Sequence, residues 1–157
     1  HSTSPLLKTD ESKEYFKRFI KLINKKNSDV ILYGTWTYPA KPLIGKSFIG
    51  VDPIQYVLKP ITDQTNSRIA PVGTAFRLFQ KEYPDLSLFT SDNKHPSPVG
   101  TYLAACVFFK ILTGESPLGL DRRYERKDEY GKKVFLGMVE KGAALKCQTI
   151  VDEMEIK

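Results

Sequence analysis

Cysteine, histidine, methionine and tryptophan are all scarce, with two Cys, two His, two Met and one Trp in 157 residues. Two cysteines cannot staple a chain of this length into a disulfide scaffold. Cys106 and Cys147 both fall in stretches that read as helical, where a buried free thiol is the plainer reading. One histidine outside the terminus and no clustered cysteine make no typical zinc site, so neither a metal nor any other cofactor is expected. Long apolar runs are lacking too. The longest, Tyr102 to Ile111, is broken by Lys110 and reaches about half of the roughly 20 residues a spanning helix needs, so no membrane span is expected. The first ten residues lack the basic-then-apolar pattern of a signal peptide. The chain opens on His1 rather than Met, and the native start is expected to lie elsewhere.

What is present suits one soluble globular domain: 41% hydrophobic and 27% charged residues, with ten Gly and ten Pro. Such a composition excludes a disordered or collagen-like chain. The net charge is +6, which raises the question of an anionic partner. Much of the excess lies at Lys13, Lys17, Arg18, Lys21, Lys25 and Lys26, on a helix whose other face carries Tyr15, Phe16, Phe19, Ile20 and Ile23. This is the pattern of a solvated outer surface over a packed inner one, and without a nucleic-acid motif no nucleic acid partner is expected.

Thr9 or Asp10 can cap that first helix, which runs to about Lys26 and is broken at Asn27 and Ser28. Val30 to Tyr33 is an apolar run without alternation, suited to a parallel strand covered on both faces, and it ends at Gly34-Thr35-Trp36. A long loop follows, from Thr37 to Val51. Asp52 and Pro53 start a second helix, with Pro60 inside it as an expected kink, and Ile69 to Gly73 reads as the next strand. Thr74 caps a helix to about Tyr83. Ser97 and Pro98 open the most apolar helix, which Thr113-Gly114 stops. A hairpin, Arg123 to Lys127 against Lys132 to Leu136, and a helix from about Val139 to Met154 complete the chain.

This alternation is that of an α/β fold with a parallel sheet. Two central strands are few against the usual four to six or so, and further strands are expected upstream of His1. Residues 1–120 are expected to form the α/β domain, with 121–157 packed on it as a hairpin and helix.

The sharpest chemical feature is Asp92-Asn93-Lys94-His95-Pro96-Ser97-Pro98. An Asp three residues before a His, in a turn that leads into a helix, can bring its carboxylate to the imidazole. The carboxylate then orients the ring and stabilises its protonated form, leaving the other nitrogen free as a general base. A capping or surface histidine is the plain alternative. Trp36, at a strand end, can stack on a sugar ring or sit half-buried in the core. Arg122 and Arg123 read as surface charges rather than an anion site.

The stretch from Asp92 to Ala105 resembles the last motif block of the SGNH, or GDSL-like, hydrolase superfamily, and is most similar to bacterial versions that continue His-Pro-Ser-x-x-Gly-x-Tyr-Leu-Ala-Ala. Ile69 to Phe76 resembles that group's strand-to-helix turn, and Gly34-Thr35-Trp36 its aromatic-bearing strand end. The resemblance implies a three-layer α/β/α, flavodoxin-like fold of which this chain would be roughly the C-terminal two thirds. It implies a serine esterase, a deacetylase of carbohydrates or small esters, with His95 as base and Asp92 as orienter; Trp36, by its place at the strand end, is the candidate to line the substrate site. It implies a periplasmic or extracellular location.

The superfamily's serine lies in an N-terminal Gly-Asp-Ser or Gly-Asn-Ser block, and its oxyanion Gly and Asn follow; these have no clear counterpart here. Leu43 to Phe48 looks like that block with Lys46 in place of the acidic or amide residue. It follows a middle strand, so Ser47 as nucleophile requires a permuted order and reads as an ordinary loop serine. Ser2 and Ser4 read as loop residues as well. A non-catalytic α/β module that keeps the Asp–His pair and binds a ligand or partner without turnover is the competing reading.

Overall fold

The computed structural model describes residues 6, 8–38 and 52–156. Ser2, Ser4, Lys46 and Ser47 lie outside the described residues, as does most of the expected long loop. The chain is a mixed α/β protein with a small parallel sheet and a separate antiparallel hairpin. It divides into two compact units, 1–77 (with the last two residues) and 78–155.

In the first unit, α1 (Thr9–Asn24) has Lys8 at its N-cap position without a side-chain cap, so Thr9 and Asp10 do not cap it. They already lie in the first turn, where Asp10 and Glu11 still complement the positive end of the helix dipole. Asn27, in the left-handed region at φ 54°, ends the helix within three residues, as Asn tolerates. The inner face differs from expectation. Only Ile20 is buried and Phe16 is packed against the core, while Tyr15, Phe19, Leu22 and Ile23 are exposed. Among the described elements α1 packs chiefly on β1 and α2.

Strand β1 (Val30–Tyr33) pairs in parallel with β2 (Ser67–Ala70), Val30 opposite Ser67 and Tyr33 opposite Ala70. Between them α2 (Pro53–Thr62) is capped by Asp52, with Pro53 in its first turn and Pro60 inside. Leu32, Ile54, Leu58 and Ile61 are among the residues of this unit's core.

The second strand ends sooner than its sequence suggests, because Val72 and Gly73 already belong to α3 (Val72–Glu82). The Gly73 N–H donates to the Gly34 carbonyl at 2.7 Å, which draws the first turn of α3 onto the end of β1. Thr74 is therefore inside the helix, and its hydroxyl donates to Gln55 Oε1 at 2.5 Å instead of capping. Gly73 is required by close approach: a Cβ there would lie 2.5 Å from the Thr35 carbonyl oxygen and 2.7 Å from Asp52 Oδ2.

In the second unit, α4 (Pro98–Thr113) is capped by Ser97 Oγ, which accepts from the Gly100 N–H at 3.2 Å, and Gly114 at φ 74° ends it in the left-handed conformation. Strands β3 (Arg123–Lys127) and β4 (Lys133–Met138) form the hairpin, with a register shift at Tyr124/Glu125. Helix α5 (Lys141–Asp152) is capped by Glu140, two residues later than the expected start. It packs on α4. Cys106 and Cys147 are free and buried in these two helices, and burial pushes both thiols up to about 12. The Lys110 ammonium donates to the carbonyls of Val151, Asp152 and Met154, closing the end of α5. Tyr102 and Gln148 fix the chain before the hairpin through the Leu120 carbonyl. Arg122 donates to the Val139 carbonyl, and Arg123 pairs with Glu125 over the Phe135 ring.

Candidate functional site

The loop ahead of α4 is closed at its base by backbone. Phe89 and Pro96 form an isolated antiparallel bridge, the Thr90 N–H donates to the His95 carbonyl at 2.9 Å, and the Ser97 N–H donates to the Leu88 carbonyl at 2.9 Å. Leu88 is fully buried and anchors the incoming strand of the loop. Ser97 works in both directions, donating its hydroxyl to the Ser87 carbonyl while capping α4. Asn93 takes the left-handed conformation at φ 54° that the tight turn needs.

Asp92 organises the interior of this turn. Its Oδ1 accepts from the Thr90 hydroxyl at 2.8 Å, from the Lys94 N–H at 2.9 Å and from the His95 N–H at 3.0 Å. Its Oδ2 meets His95 Nδ1 at 2.5 Å. The His95 N–H and then its ring hold the Asp92 carboxyl well below the usual carboxylate range, with Lys94 and Thr90 adding to the effect. An ionised Asp92 accepts, so Nδ1 donates, and the neutral ring carries its lone pair on Nε2. Both side chains are exposed, and among the described residues nothing bonds Nε2. Such a ring can take a proton from a bound hydroxyl or water and return it to a leaving group.

The two catalytic residues expected from sequence are thus in contact. No described serine hydroxyl bonds the ring; Ser87 Oγ is turned to the Phe89 carbonyl and Ser97 Oγ is the helix cap. Trp36 is only 4% exposed, with its ring stacked 4.8 Å from that of Phe76 and edge-on to Tyr33. It is packed as a core side chain and presents no open face for a sugar.

A second polar cluster has no counterpart in the sequence reading beyond the capping role of Asp52. Asp52 Oδ1 accepts from the Gln55 N–H at 2.8 Å, but among the described residues Oδ2 and the Thr35 hydroxyl are buried without a hydrogen-bond partner. Burial raises the Asp52 carboxyl above its ordinary value, opposed by the Gln55 N–H and by the charge of Arg77. The Asp-Pro pair signals a helix start; nothing local signals that the carboxyl is buried. In the second unit an open groove of about 410 Å³, lined by Leu78, Tyr83, Ile150 and Met154 among others, involves neither Asp92 nor His95.

Among the described residues no group of three or more His, Cys, Asp or Glu is placed to hold a metal ion, and no helix is long and apolar enough to cross a membrane. No family model, curated protein or solved structure matches this chain.

Proposed function

We propose that this chain belongs to a serine hydrolase acting on ester bonds, with Asp92 as orienter and His95 as base, and with acetyl esters of carbohydrates or small alcohols as the substrate class. The observation that carries the reading is the hold of one carboxylate on both the backbone and the ring of His95. Three donors saturate Oδ1, so Oδ2 is fixed toward Nδ1, and among the described residues the remaining nitrogen is unengaged, at an exposed loop. A histidine serving only as a surface residue has no need of this arrangement.

In the reaction, His95 Nε2 removes the proton from a serine hydroxyl as its oxygen attacks the ester carbonyl carbon. The tetrahedral oxyanion collapses, the C–O bond to the alcohol breaks, and the imidazolium gives its proton to the departing alkoxide. Water then repeats the cycle on the acyl-serine and releases the acid. Asp92 stays ionised throughout and stabilises the imidazolium. The serine and the oxyanion donors are assigned to polypeptide outside the described residues. The larger architecture that goes with this reading is the three-layer α/β/α, flavodoxin-like fold, and the location that goes with it is periplasmic or extracellular.

The test is hydrolysis of an activated acetyl ester by the full-length gene product and by the 157-residue chain, each with and without His95→Ala. The 157-residue chain is expected to show little turnover, since loss of even one oxyanion donor typically costs about 10² to 10³ in rate. Robust turnover by that chain, abolished by Ser47→Ala, would instead place the nucleophile at residue 47. Absence of hydrolysis from every form would favour the non-catalytic binding module.

A further inference from the structure

At the carboxyl ends of β1 and β2, three pieces of backbone converge on one side chain. Asp52 caps α2 through Oδ1. Its Oδ2 presses on the first turn of α3 at Gly73, beside the carbonyl oxygen of Thr35 in the extension of β1. Asp52 is 4% exposed and Thr35 is 3% exposed, and among the described residues neither Asp52 Oδ2 nor the Thr35 hydroxyl has a partner. Asp52 Oδ2 and the Thr35 carbonyl oxygen thus border the same glycine, and among the described residues no donor reaches Oδ2. That arrangement is unfavourable for the ionised form and favourable for the acid, which supplies the missing donor itself.

We propose that Asp52 is stored in the fold as the neutral carboxylic acid, its Oδ2–H donated to the Thr35 carbonyl oxygen, and that loss of this proton loosens the junction of β1, α2 and α3. Among the described residues, the charged and titratable groups around it are as follows. From α3 the charge that reaches Asp52 is Arg77, which favours ionisation. On β1, burial pushes the Tyr33 phenol up to about 12, so it stays neutral. On α2 itself Lys59 is paired with Asp63. Desolvation of the carboxyl therefore outweighs the charge of Arg77. The junction carries its own reporter, because Trp36, the single tryptophan of the chain, follows Thr35 and is stacked on Phe76 from α3.

The experiment follows Trp36 emission and the melting temperature of the whole chain from pH 4 to pH 8.5, in wild type, Asp52→Asn and Arg77→Ala. Asparagine keeps the Oδ1 cap and offers a permanent N–H in place of the acid proton. The expected result is a red shift of wild-type emission as pH rises, lost in Asp52→Asn and moved to higher pH in Arg77→Ala. The melting temperature of wild type is expected to fall relative to Asp52→Asn over the same interval. Should the asparagine variant fail to fold, the ¹³C shift of the wild-type Asp52 carboxyl gives the same answer by titrating above the ordinary value of about 4. A carboxyl that titrates at or below that value, or a wild type more stable than Asp52→Asn by a constant margin, would overturn the proposal. So would stabilisation by millimolar Mg²⁺ or Ca²⁺ that disappears in Asp52→Asn, which would make the group an ionised cation ligand.

Discussion

Asp92 bonds His95 twice, accepting the backbone N–H at 3.0 Å on one oxygen and meeting ring Nδ1 at 2.5 Å with the other. The backbone bond sets where the residue begins and the ring bond sets where it points, so one side chain determines both the position and the tautomer of the imidazole.

The tautomer is the first expected outcome. In ¹⁵N spectra of the neutral ring, His95 should carry its hydrogen on Nδ1. Asp92→Ala should mix the two tautomers and Asp92→Asn should perturb the ratio, while α4 keeps its Ser97 cap and its amide shifts. A wild-type ring protonated on Nε2 would mean that Asp92 does not orient it.

Acid should act on the same loop. The Asp92 carboxyl lies below its unfolded value of about 4, so its contribution to stability is complete above that pH and is lost as pH falls through the lower, folded value. The protection factors of the Lys94 and His95 amides are therefore expected to fall in wild type below about pH 4. In Asp92→Asn, protection at these amides should be weaker at neutral pH and should change little with acid. Equal acid sensitivity in both would assign the effect to other carboxyls.

Gly73→Ala tests the junction at the strand ends. Alanine is favoured over glycine inside a helix by about 1 kcal/mol. Here, however, the added Cβ would meet a backbone oxygen at 2.5 Å, and a net destabilisation of about 1–3 kcal/mol is expected in a denaturant midpoint. Gly137→Ala, where nothing lies within 4 Å, is the control and should cost little.

Local chemistry was legible where it decides the structure. Asp52-Pro53 and Ser97-Pro98 start helices because each cap bonds an N–H three residues on, and Gly114 and Asn27 stop helices by taking positive φ. The Asp92–His95 contact was legible for the same reason, since the turn closes within four residues. What was not legible depends on partners distant in sequence. The early start of α3 comes from Gly73 bonding Gly34, which no local pattern at Thr74 reveals. The exposure of Tyr15, Phe19 and Ile23 depends on how much surface the rest of the fold offers α1, and the helical period carries no information about that. The burial of Trp36 against Phe76 and of Asp52 against Gly73 likewise arises only when the strand ends and helix starts converge.

The central claim, that His95 is the base of an ester hydrolase, is tested most directly by kcat for an activated acetyl ester measured on the full-length gene product and on its His95→Ala variant. Loss of a positioned general base predicts a fall of about 10² to 10⁴ in kcat, with the variant still folded by circular dichroism. Equal rates in the two proteins, or no hydrolysis by either, would contradict it.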